Sequence, residues 1–146
     1  MKKIAVLLAM LFVISSVPAG DAPDPDVKLI RETVTNYLEG WFSSDAGRMT
    51  EALHPNLVKY TVKKVPGSET EYLDVMGAES LIAFTAHNQE WVKGKKTHEM
   101  KIVYRDDRIA VVHAVSDDFY DICNLARING EWKILQVLWG MNEQKQ

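Results

Sequence analysis

Apolar positions follow two regimes along the chain. Val27, Ile30, Val34, Tyr37 (with Leu38) and Trp41 recur at three- and four-residue steps, the mark of an amphipathic helix. Asp24 followed by Pro25 supplies an N-cap side chain and a proline for its first turn. Ser43-Ser44-Asp45 ends that helix and caps a second, short one, whose buried edge is Met49, Ala52 and Leu53 and which Pro55 closes. Residues 57–65, LVKYTVKKV, read as a strand, because Val, Tyr and Thr favour extended structure. Pro66-Gly67-Ser68 turns the chain, and Tyr72 to Val75 form a brief second strand. From Gly77 helical spacing returns, with Leu81, Phe84 or Thr85, Asn88 and Trp91 on one side. Lys93-Gly94-Lys95-Lys96 then makes a solvated basic turn.

From Thr97 the period becomes two. HEMKIVYR meets IAVVHAVSDDFYDICNLAR across Asp106-Asp107, and a last strand follows Asn129-Gly130, giving a three-stranded meander. The middle strand, Ile109 to Arg127, exceeds the usual length and must bend, with Ser116-Asp117-Asp118 as the place. Asn-Gly favours a two-residue type I′ turn, since both central residues need positive φ. A tight turn sets Ile128 opposite Glu131, then Arg127–Trp132, Leu125–Ile134, Cys123–Gln136 and Asp121–Leu138. Asp121, Cys123, Leu125, Trp132, Ile134 and Leu138 then share one face, with Tyr120, Ile122, Ala126, Leu135, Val137 and Trp139 on the other. Both faces are apolar, so the hairpin needs cover from the chain's own helices or from a second subunit. A long bent sheet with the N-terminal helices on its concave face is an α+β cone.

The first twenty residues change the picture of where the protein works. Lys2 and Lys3 make a positive start, Ile4 to Val17 a mostly apolar run, and Val17-Pro18-Ala19 a small-residue cleavage site. The run is shorter than the ~20 residues of a membrane-spanning helix. The expectation is a signal peptide over 1–20, a single domain over 21–146, and a periplasmic or secreted product with no membrane attachment after cleavage. Loss of Lys2 and Lys3 takes the 17 basic residues to 15 against 20 acidic ones, moving the formal charge from −3 to −5. An acidic exported protein lacks the basic patch of a nucleic-acid binder. Cys123 is the sole cysteine, which excludes an internal disulfide and a cysteine-rich zinc site. It reads as a small buried apolar residue.

The order of elements resembles the nuclear transport factor 2-like superfamily and, more narrowly, the bacterial group labelled putative lumazine-binding. The resemblance rests on Tyr37-Leu38-Glu39-Gly40 at the end of the first helix, on the Leu53-His54-Pro55 step, and on Asp121, Leu125, Asn129-Gly130, Trp132 and Ile134. It spans roughly residues 27 to 140. It implies a cone-shaped, curved antiparallel sheet, the cystatin-like roll, with helices on the concave face, a pocket in its mouth, and a homodimer paired through the sheet. Because the superfamily holds isomerases, dehydratases, polyketide cyclases and non-catalytic binders, it does not fix an activity.

Candidate pocket residues are Tyr37, Trp41, His54, Tyr60, His87, Asp121 and Trp139; aromatic walls with a few polar groups suit a small planar ligand. Asp121 stands among apolar neighbours, where a carboxylate is costly unless paired or neutralised. Either it is a general base, as in the ketosteroid isomerase of the same superfamily, or it bonds backbone amides, Arg127 or another cation. His54 is a proton shuttle beside it, or a cap on helix carbonyls. No histidine pair stands at helical metal-ligand spacing, so neither a metal nor another cofactor is expected. Three readings follow: a binder of a small apolar or aromatic molecule; an isomerase or dehydratase with Asp121 as base and His54, Tyr37 or Tyr60 assisting; and an interaction module with a filled cone. The first is preferred, since no complete acid–base set is present.

Overall fold

The computed structural model describes residues 24–92 and 97–142, so the leader and the Lys93–Lys96 turn lie outside the described residues. Helix α1 (Pro25–Ser43) starts on Asp24, whose carboxylate accepts the Asp26 N–H at 2.9 Å. Its buried stripe is Ile30, Val34, Tyr37, Leu38 and Gly40. The helix stops at Ser44, a left-handed residue at φ 56°. Asp45 then caps α2 (Ala46–Ala52) by accepting the Arg48 N–H at 3.0 Å. The two helices touch at Gly40: a Cβ there would stand 3.0 Å from the Met49 nitrogen and 3.2 Å from the Asp45 carbonyl oxygen.

Strand β1 (Leu53–Lys64) follows α2 without a break, so His54 and Pro55 belong to the strand rather than to a helix end. The pairing of β1 with the last strand slips between Leu53 and Val58, and a proline without an N–H is tolerated at such an irregularity. β2 (Glu71–Gly77) pairs back on β1, and α3 (Ala78–Ala86) carries the chain to the far edge. This helix is shorter than the apolar spacing predicts. Asn88 lies beyond it, wholly buried, its amide nitrogen donating to the Trp41 carbonyl at 2.7 Å while the Ser44 hydroxyl donates to its oxygen. That clasp ends the helix, and Trp91, expected beside Leu81, lies outside it and exposed.

Four strands complete the sheet: β3 (His98–Arg105), β4 (Ile109–Ser116), β5 (Phe119–Ile128) and β6 (Glu131–Met141). The expected single strand over Ile109–Arg127 is two, hinged at Asp117-Asp118. Ser116 makes the reversal, its hydroxyl donating to the Phe119 carbonyl at 3.0 Å and accepting the Phe119 N–H at 3.2 Å. The order across the sheet is β2-β1-β6-β5-β4-β3. Every join is antiparallel except β1–β6, which is parallel, so the sheet is mixed within an α+β cystatin-like roll.

The core lies between the helices and the inner face of the sheet. Ile30, Val34, Leu38 and Met49 meet Val112, Cys123, Ile134 and Val137, all at most 1 % exposed. Truncating one of the larger of these to Ala costs about 2–5 kcal/mol, from lost transfer energy and the cavity left behind.

The closing hairpin positions the site. Asn129 and Gly130 both have positive φ, 53° and 87°, and Ile128–Glu131, Arg127–Trp132 and Leu125–Ile134 face each other as predicted. Beyond that the register shifts: Asn124 meets Gln136, so Leu135 is an extra residue without a partner. Cys123 therefore faces Val137 and Asp121 faces Trp139, not Gln136 and Leu138. A β-bulge exchanges the faces of all that follows it. Val137 and Trp139 join Asp121 on the inner side, and Leu138 turns outward, half exposed.

Candidate functional site

Alternation along β1 sends Leu57, Lys59, Thr61 and Lys63 to the helix side and Val58, Tyr60 and Val62 to the other. Lys59 reaches between α1 and β5. Its Nζ donates to Asp121 Oδ1 at 2.9 Å and to the Tyr37 hydroxyl. The ammonium also lies 5.0 Å from the ring centroid of Trp139, 5.2 Å from that of Tyr37 and 5.7 Å from that of Phe119, within cation–π range.

Asp121 is wholly buried, and its Oδ2 has no hydrogen-bond partner among the described residues. Lys59 is thus the cation that makes a carboxylate tolerable there, while Arg127 pairs with Asp26 at 3.3 Å instead. Burial pushes the Tyr37 hydroxyl well above its ordinary pKa of 10.0, and Asp121 and Cys123 push it the same way. The Tyr37 oxygen therefore keeps its proton and accepts from Lys59 as a neutral group. Burial likewise pushes the Cys123 thiol well above 9.0, with Asp121 adding to the effect and Lys59 opposing it. Cys123 is an inert core residue.

In front of the Lys59 ammonium lies a cavity of about 110 Å³ walled by Tyr37, Trp41, Phe119 and Trp139. Met49, Met76 and Leu81 close its sides, and Lys63 and Asp74, paired at 2.6 Å and part-exposed, also line it. Its size is on the scale of one aromatic ring, given that roughly 150 Å³ holds a benzene. It falls below the roughly 300 Å³ of a cavity that encloses a whole drug-sized ligand. Phe42 stacks on Phe119 at 5.7 Å, and the Asn88 clasp on the Trp41 carbonyl fixes the opposite wall. A broader groove of about 590 Å³ along α1, lined by Lys28, Arg31, Glu32 and Arg48, is solvent-facing, charged and without aromatic walls.

Residues 25–140 match the putative lumazine-binding family. The chain belongs to that family. Solved structures place its fold among nuclear transport factor 2-like proteins. One is an NTF2-like protein of unknown function from Silicibacter pomeroyi, with a TM-score of 0.65 and 15% identity over 81% of this chain and 97% of that one. Another, from Shewanella baltica, has a TM-score of 0.63 and 17% identity over 84% and 98%. A ketosteroid isomerase-like protein from Erwinia carotovora atroseptica gives 0.59 and 14% over 81% and 97%. At these identities the likeness shows the fold alone. A comparison with curated proteins returns no match.

In this putative lumazine-binding family member, the cavity brings together three of the residues singled out from sequence: Tyr37, Trp41 and Trp139. Asp121 stands behind the cavity, screened by Lys59 and Tyr37. His54 lies elsewhere, in a shallow depression with Leu53, Pro55 and Glu79, its Nδ1 accepting the Asn56 N–H at 3.1 Å. Tyr60 points to the other face of the sheet, and His87 is exposed at the end of α3. Lys59 and Phe119 were missed. Lys59 had one signal: it is a lysine interleaved between Leu57 and Thr61 at period two. Among the described residues no three His, Cys, Asp or Glu side chains converge as a metal site, and no helix is long and apolar enough to cross a membrane.

Proposed function

We propose that the protein is an exported, non-catalytic binder of a small planar molecule, one ring of which enters the aromatic cavity while the rest lies at its mouth. The observation that carries this reading is the cavity itself: four aromatic walls around one ammonium held from behind by Asp121 and Tyr37. Lumazine, the ligand class named in the family description, is a fused two-ring compound of suitable shape. The isomerase or dehydratase reading is less favoured, because a general base must reach the proton it takes. Asp121 is wholly buried behind Lys59, and His54 does not line the cavity. The test is native mass spectrometry of protein purified from its own periplasm. A co-purifying compound of a few hundred daltons that Trp139→Ala abolishes supports the reading; an empty protein that also ignores added lumazine refutes it.

The outer face of the sheet supports a homodimer as part of the same reading. Val62, Leu73, Val75 and Leu138 are each more than half exposed or at half, on neighbouring strands β2, β1 and β6. A contiguous apolar face of this kind marks an interaction surface. Light scattering should give twice the chain mass, and Leu138→Lys should give the monomer; a monomeric wild type at micromolar concentration contradicts it.

A further inference from the structure

We infer that Lys59 selects, for this cavity, a planar ring bearing a neutral carbonyl oxygen. This rests on the binding reading above and specifies what the bound ring must carry. An ammonium has three N–H donors. Asp121 Oδ1 takes one at 2.9 Å and the Tyr37 hydroxyl takes a second. No other described residue accepts the third, and Lys59 lines the cavity with its side chain only 11% exposed. A ligand that fills the cavity must therefore accept from Nζ or leave a charged donor unmet, which is costly.

Charge then decides which acceptor fits. The single positive charge already faces Asp121 and three ring faces at 5.0, 5.2 and 5.7 Å. A carboxylate ligand at Nζ would put a second full anion beside Asp121 in surroundings of low polarity, where like charges repel strongly. The one other cation on the wall, Lys63, is paired with Asp74 at 2.6 Å and leaves no charge to spare. A ring carbonyl accepts the same charged hydrogen bond without that repulsion. Flatness follows from the walls: Tyr37, Trp41, Phe119 and Trp139 line a space of about 110 Å³, the scale of one ring.

Three probes on a fused two-ring frame separate the possibilities: quinazoline-2,4-dione, naphthalene (which carries no acceptor) and naphthalene-2-carboxylate, titrated calorimetrically into the full chain with tryptophan quenching as a second readout. The dione is expected to bind about tenfold or more tighter than naphthalene, the gain of a hydrogen bond from a charged donor. It should also outrank the carboxylate. In the double variant Lys59→Met with Asp121→Asn, which removes both charges together, the dione's advantage over naphthalene should fall to about twofold or less, with naphthalene reporting how far the variant alters the cavity itself. Should that variant not fold, the ranking of the three probes on the unaltered chain decides alone. Equal binding of dione and naphthalene, or a carboxylate that binds tightest, overturns the inference and leaves the cavity reading standing. Failure of all three probes to bind overturns the binding reading, and this inference with it.

Discussion

Replacing Lys59 by Met keeps most of the side chain's length and removes its charge, leaving Asp121 buried alone. The structure sets the magnitude. Asp121 is 0% exposed, its Oδ2 lacks a donor among the described residues, and Lys59 Nζ at 2.9 Å is its counter-charge. Removing one partner from a buried pair costs about 3–5 kcal/mol, chiefly because the other charge is left uncompensated. The reverse change, Asp121→Asn, should cost less, about 1–3 kcal/mol. Lys59 would still have the Tyr37 hydroxyl, three ring faces and the cavity opening. Combining the two should recover at least about 2 kcal/mol relative to the sum of the single losses, because neither charge is then stranded. Urea unfolding followed by far-ultraviolet circular dichroism reads each value from the midpoint, provided the slope is unchanged. A Lys59→Met loss below about 1 kcal/mol, or strict additivity in the double variant, would refute the claim that the pair is desolvated and interdependent.

Other expectations follow from single contacts. Gly40→Ala should cost about 1–3 kcal/mol in urea unfolding, because the added methyl meets the backbone of α2 at 3.0 Å and 3.2 Å; Gly140→Ala should cost less, since its methyl meets the Tyr120 ring, a part-exposed side chain able to swing away. Asn88→Ala should lose about 2 kcal/mol and raise the acrylamide quenching of tryptophan, as the Trp41 wall loses its anchor. Alkaline stability carries a sign. Tyr37 holds its proton more tightly folded than unfolded, so its contribution is complete below about pH 10 and declines as pH rises past that value. Tyr37→Phe should therefore flatten the fall of the urea midpoint between about pH 9 and pH 11; an unchanged slope would contradict the assignment.

Much of the fold was legible because its signals are local. The α1 stripe, the Asp24-Pro25 start and the Asn129-Gly130 turn each need only neighbouring residues, and all three stand where the sequence puts them. The site was harder to read, for two reasons. The extra residue at Leu135 has no compositional mark, yet it exchanges the faces of Leu138 and Trp139 and so decides which of them meets Asp121. Along β1 the hydrophobic rule points the wrong way. Val58, Tyr60 and Val62 form the more apolar set, but it is the set with Lys59 that faces the helices, while Val62 is 59% exposed on the outer sheet. Tyr60 accordingly lies on the outer side, and Lys59 lines the cavity. The physical source of this inversion on the inner side is a buried acid on β5 that needs a cation. The Ser116 reversal reads as a bend in the sequence because apolar residues resume at Phe119 after only two acids, yet Ser and Asp are common turn residues and Asp106-Asp107 is the same acidic pair between β3 and β4.

The most direct measurement is a crystal structure of the chain soaked with lumazine. A ring should stand against Trp139 in the cavity, with a carbonyl oxygen within about 3.2 Å of Lys59 Nζ. Lumazine bound at another surface, or a cavity left unchanged by saturating ligand with Lys59 still held only by Asp121 and Tyr37, would contradict it.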